Sequence, residues 1–281
     1  MTTTRSMIAN IVTLSRRDLR DALASRWFIL YSLAFVALGL CVSYVSASSA
    51  GGAGLAGFGR TSAGLVNLVL LVVPLMGLTA GAGSVAGDRE RGMLAYLLAQ
   101  PISRWELLAG KYVALAIALS MSICVGFGVS AMVMSLQRST ADASGYLLLV
   151  GLTILLAMSM LSIGMLISVL CRRAAVATGV AVFVWLAMVF ATDLGLMAGT
   201  IAMKLSIETL FGLAVASPLQ VFKMWSLQGV DASLDVLGPA GLYAQTEFGG
   251  SLKLLFLGVM AAWTLAPILV AGWVFNRRAL L

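Results

Sequence analysis

Six long apolar runs alternate with short polar segments along this chain, at residues 27–46, 64–86, 105–135, 146–170, 174–197 and 252–275. At 1.5 Å per residue each is long enough to cross ~30 Å of hydrocarbon as a helix. Ahead of the first run, residues 5–25 have amphipathic helical spacing. Ile8, Ile11, Val12, Leu19, Ala22 and Leu23 fall on one face, and Arg16, Arg17 and Arg20 lie off it. That pattern predicts a helix on the membrane surface, able to meet anionic lipid. A secretory signal does not fit, because the charged stretch is too long and the following run exceeds an h-region.

Residues 199–251 form the longest stretch outside the runs, too long to be structureless in a compact protein. Residues 201–216 are helical in pattern. Ser217-Pro218 then reads as the cap and first position of a second helix over 218–228. Its apolar side holds Leu219, Val221, Phe222, Met224 and Trp225. The expectation is a helix lying along the outer surface, with Phe222 and Trp225 as a candidate seat for a periplasmic protein.

Composition narrows the class. Hydrophobic residues are 61% of 281 and charged residues 10%, against roughly 25% charged in soluble domains. An all-α integral membrane protein, one transmembrane domain of six spans, is the class this fits. The net charge of +7 is no sign of nucleic-acid binding, since the basic residues sit in small groups at the ends of apolar runs. With no histidine in the chain, Ser-His-Asp, Cys-His and His-metal chemistry are excluded. Cys41, Cys124 and Cys171 stand far apart and read as small buried hydrophobes rather than metal ligands. By lysine and arginine counting, 13 of 18 fall on the side of both termini and of the link at 88–104. That side is therefore expected to be cytoplasmic.

The link at 88–104 is the most structured of the polar segments. Asp88, Arg89, Glu90 and Arg91 alternate in sign, as suits a solvated helix start, and Gly92 follows. Leu94, Leu97 and Leu98 repeat at the spacing of one helix face. Pro101 disfavours helical geometry at the preceding residue, and Ser103 with Glu106 has the spacing of a capping box. A short amphipathic helix, a sharp break at Pro101-Ile102-Ser103-Arg104 and a new long helix are predicted. A plain solvated loop is the alternative.

Three further features carry alternatives. Gly77, Gly81, Gly83 and Gly87 suit close helix packing, or a gating hinge beside Pro74. Asp193 is the one acid within an apolar run. Its distance from Arg173 places it near the outer interface, and with Met188 and Met197 it is a candidate substrate path or outer gate. Met121, Met132 and Met134, with Met158, Met160 and Met165, suit either core filling or a soft-ligand path for Cu(I). No catalytic or resident metal site is evident.

The link resembles the cytoplasmic coupling segment of the ABC-2 type transporter permeases. There too charged residues and a Gly precede a Leu-rich turn, a Pro-x-Ser-Arg break, and a helix opening like Leu107-Leu108-x-Gly110-Lys111; Met93 departs from a frequent Thr. The resemblance implies a type V exporter-like permease fold in a bacterial inner membrane, working as a homodimer or as a heterodimer with a similar chain. It also implies separate cytoplasmic ATPase subunits, binding ATP and Mg, that dock on 88–104. The chain itself would bind no cofactor. Further likeness is to the permeases of nitrous oxide reductase maturation. It rests on Arg17-Asp18-Leu19, Ser25-Arg26-Trp27, Phe190-Ala191-Thr192-Asp193-Leu194, Ser217-Pro218 and Ser226-Leu227-Gln228-Gly229. That likeness implies a periplasmic accessory protein and delivery of copper or a sulfur species to the reductase. Export of a lipid, drug or polysaccharide is the alternative. A membrane-embedded enzyme fits poorly, since no Ser-Lys pair shares a midplane and Asp193 stands alone.

Overall fold

A computed structural model describes residues 2–24, 29–30, 32–33, 36–37, 40, 56–100, 102–136, 143–201, 207–229 and 251–277. No strand occurs among them. In chain order the helices are α1 (Thr2–Ala24), α2 (Ala56–Glu90), α3 (Met93–Leu98), α4 (Arg104–Leu136) and α5 (Ala143–Leu170). They continue as α6 (Ala174–Ile201), α7 (Ile207–Ala216), α8 (Pro218–Gly229) and α9 (Leu252–Arg277). Among the described residues five segments are long and apolar enough to cross a membrane: Val66–Glu90, Arg104–Met132, Ser144–Leu170, Ala174–Ala191 and Leu252–Arg277. The pair α7–α8, bent by 105°, makes a sixth if it counts as one broken span. Of the first run expected at 27–46, residues 29–30, 32–33, 36–37 and 40 are helical, and the remainder lies outside the described residues. The Ser32 hydroxyl there lies 2.6 Å from that of Ser122 on α4.

Apolar side chains gain little by leaving lipid for protein, so helices in a membrane associate through close packing. The α2–α5 crossing shows how this sequence achieves it. A Cβ on Gly77 would lie 2.9 Å from the Ala157 carbonyl oxygen, and one on Gly81 2.6 Å from that of Leu161. Gly164 on α5 reciprocates, facing the backbone of Leu78. Gly83 has open space and Gly87 nearly so, so the close approach uses half of the glycine series. Just below, the Ser168 hydroxyl accepts the N–H groups of Val85 at 2.9 Å and Ala86 at 2.8 Å. Helix α2 continues through Pro74. One turn before it, the Leu71 carbonyl accepts the Trp185 indole N–H at 3.2 Å.

Two cores result. One joins α2, α5, α8 and α9 around Val69, Leu156, Met160, Phe222 and Phe256. The other gathers at the opposite end around Leu14, Leu94, Leu97, Leu107, Leu108 and Phe275. Helix α8 departs from expectation. Leu219, Gln220, Val221 and Phe222 are buried in succession, so α8 is packed on more than one side and does not lie along a surface. The reason is the break at Ser217: the Trp263 indole N–H donates to the Ala216 carbonyl at 3.1 Å, ending α7. The chain then turns inward. Helix α1 packs through part of its length. Among its described side chains Leu14 and Ser15 are buried and Leu19 and Ala22 half-buried, while Val12 and Leu23 are exposed.

Candidate docking site at the helical elbow

The segment between α2 and α4 forms a compact elbow. Asp88, Arg89 and Glu90 are the last turn of α2 rather than the start of a new helix. The corner is Gly92, at φ +73°, the left-handed geometry that glycine enters freely. Its N–H bonds the Arg89 carbonyl at 3.1 Å, closing the end of α2. Six residues of α3 follow. The next helix then begins with a reciprocal capping box. The Glu106 N–H donates to Ser103 Oγ at 3.1 Å, and the Ser103 N–H to Glu106 Oε2 at 3.3 Å. Pro101 lies outside the described residues.

Arg89, Glu90 and Arg104 are each committed to another helix. Arg89 Nη1 donates to the Cys171 carbonyl at 2.6 Å and the Val169 carbonyl at 3.5 Å, at the C-terminus of α5. Glu90 Oε2 accepts the Ala174 N–H at 2.9 Å, at the N-terminus of α6. Arg104 Nη1 donates to the carbonyls of Phe275 at 3.2 Å and Asn276 at 3.1 Å, at the C-terminal end of α9. These are the orphan backbone groups that helix ends leave, met by side chains whose sign complements the helix dipole. Trp105 lies against α9 so closely that a Cβ on Gly272 would strike its ring.

Asp88 is buried and bonds inward. Its carboxylate lies 2.5 Å from Lys111 Nζ on α4 and 2.9 Å from Arg91 Nη2, and Lys111 also reaches Asp18 of α1 at 3.2 Å. The Lys111 side chain is 7% exposed. Helix α1 is fixed further by Ser15 Oγ, which donates to the Gly110 carbonyl at 3.1 Å.

The leucine face does not face outward. Leu94 and Leu97 are buried in the chain's own core and Leu98 is half-buried. Leu94 and Leu97 therefore seat α3 on the bundle and are not offered to a partner. The surface left outward is Tyr96, 64% exposed, with Met93 and the exposed Ala95 and Gln100 beside it. Arg17 of α1 borders it, its Nη2 lying 3.7 Å from Met93 Sδ. Exposed Tyr96 and the buried ion pairing of Lys111 have no part in the sequence-based expectations. The missed signal was Asp18, a carboxylate one turn from Leu14 and Ala22 on the side of α1 that must pack.

The other candidates are scattered. Met188 is half-buried against the core of α6, while the side chains of Asp193 and Met197, on its last turns, are not described. Phe222 is 0% exposed, which removes it from any outer surface. Trp225 is half-buried, its ring tilted against Phe256 at 6.2 Å. Met160 and Met165 are wholly buried whereas Met121 and Met132 face outward, so these four do not share one face.

A family model described as ABC-2 family transporter protein matches residues 12–280. The chain belongs to the ABC-2 transporter family. Among its relatives is the probable ABC transporter permease protein NosY of Stutzerimonas stutzeri, 27% identical over 271 residues. That alignment covers 94% of this chain and 97% of the relative. The protein of the same name from Pseudomonas aeruginosa is 28% identical over 272 residues, covering 95% and 98%. The elbow is thus a feature of an ABC-2 chain matched along nearly its whole length.

Proposed function

We propose that this chain is the membrane-spanning permease subunit of an ABC transporter, driven by cytoplasmic ATPase subunits that dock on the elbow at Tyr96 and Met93. The observation that carries the reading is the elbow's wiring. An exposed aromatic knob sits on a short helix whose flanking charges hold the ends of α5, α6 and α9. A displacement received at α3 is thereby handed to those helices through short, charge-assisted bonds. The chain performs no chemistry itself; ATP and Mg belong to the docked subunits.

In this reading residues 27–46 supply the first of six spans, with both termini and the elbow on the cytoplasmic side of a bacterial inner membrane. Two copies pair, and the exposed apolar side of α6, with Phe183, Leu186 and Phe190, supports such a face. From the resemblance to the permeases of nitrous oxide reductase maturation, the proposed role is in assembling that reductase, with copper or a sulfur species as cargo and a periplasmic accessory protein on the outer segment. The test is a strain lacking this chain, supplied with the wild-type or the Tyr96→Asp gene. The reading expects reductase without its full copper complement when the gene is absent or altered. A fully loaded reductase in the deletion strain contradicts that role.

A further inference from the structure

The four charges Arg91, Asp88, Lys111 and Asp18 form a chain from the surface to the amino-terminal helix. Arg91, with its side chain 73% exposed, stands at the elbow's corner, and Asp88 and Lys111 are buried. Asp18, the far end, belongs to α1, which is separated from α2 by a whole apolar run. Lys111 is thus the meeting point of three helices: it stands on α4 and holds one carboxylate from α1 and one from the last turn of α2. Apolar packing of Leu14, Leu19 and Ala22 would tolerate small slips of α1 along α4. A buried ammonium shared by two carboxylates does not, because a slip leaves a charge without its partner. The Ser15–Gly110 bond, one residue from Lys111, fixes the same register.

We infer that Lys111 is a positioning residue that makes α1 a working part of the elbow, so that displacement of α3 by a docked ATPase carries α1 with it. The inference rests on the proposed function, and it adds a second element to the moving part. Asp18 is the link that can be cut with least damage, because Lys111 keeps Asp88 as its counter-charge.

The experiment is hydrogen exchange on the ATPase–permease complex purified in detergent, with and without a non-hydrolysable ATP analogue. In the wild type, exchange changes on nucleotide addition both at 93–98 and along 2–24. In Asp18→Ala the change at 93–98 persists and that along 2–24 falls about tenfold, within the range seen for loss of one coupling link. Asp18→Glu restores it. Should Asp18→Ala not survive purification, Asp18→Asn removes the charge while keeping the shape and is read in the same way. A wild-type response at 93–98 without one in α1, or an α1 response unchanged when the charge is removed, overturns the inference. Absence of any nucleotide response at 93–98 in the wild type contradicts the docking reading instead.

Discussion

The two ends of this bundle are built on opposite plans. At the elbow, Asp88, Arg89, Glu90 and Arg104 each reach a different helix, and every one is bonded. At the α7–α8 end the chain breaks by 105° and buries polar groups with much less provision. Among the described residues, Trp225 Nε1, Ser226 Oγ and Gln228 Oε1 are buried and find no hydrogen-bond partner. A cavity of about 380 Å³ lies nearby, lined by Asn67, Leu70, Leu71, Val189, Leu219, Gln220 and Lys223. Tight polar bonding suits the transmission of force. Buried polar groups unmet among the described residues, beside a cavity, suit a region that rearranges, because unmet groups lower the cost of leaving the present arrangement.

The comparison breaks most readily at Lys111. Lys111→Met leaves Asp18 and Asp88 facing each other with Arg91 as the remaining cation. The purified chain is expected to lose ~3–5 kcal/mol of stability, read as a lowered thermal midpoint in detergent. A midpoint within error of wild type would mean that the buried charges do not hold the elbow.

Next comes the crossing that both ends share. Gly164→Ala drives a methyl into the Leu78 backbone and is expected to cost ~1–3 kcal/mol. Gly151→Ala, on the same helix with open space around it, is the matched control and should be neutral. Equal effects of the two would remove close approach as the basis of the α2–α5 pair.

Much of this was readable in advance, and the misses share a cause. Helix period and run length found the five long spans among the described residues, and the Ser103–Glu106 spacing found the capping box, because both are local properties. The charges at 88–90 were misplaced as a helix start because nothing within the segment says that Asp88 meets Lys111, twenty-three residues away. The spacing of Leu94 and Leu97 shows that they share a face but not what that face meets, because an apolar stripe gives a direction and not what fills it. Phe222 was assigned to a surface because amphipathicity was judged on a helix assumed to lie flat. The break at Ser217 instead turns α8 into the bundle, where both its sides find partners.

Smaller effects sharpen the contrast. Ser103→Ala removes the cap that meets the Glu106 N–H and is expected to cost ~0.5–2 kcal/mol, seen as faster amide exchange in the first turn of α4. At the opposite end, Ser226→Ala deletes a buried hydroxyl that has no partner among the described residues. Stability there is expected to be unchanged or raised by up to ~1 kcal/mol. A clear loss would show that the α7–α8 end is as fully bonded as the elbow.

The central claim is that an ATP-hydrolysing neighbour pushes on the outward face of α3. Tyr96 is exposed and takes no part in the chain's own core, so Tyr96→Asp leaves the fold intact while placing a charge on that face. The direct measurement is ATPase subunit recovered with affinity-purified permease, wild type against Tyr96→Asp, at equal thermal midpoints. The account predicts stoichiometric recovery with the wild type and about a tenfold loss or more with the variant, as for an aromatic hot spot. Equal recovery with both would contradict docking at the elbow.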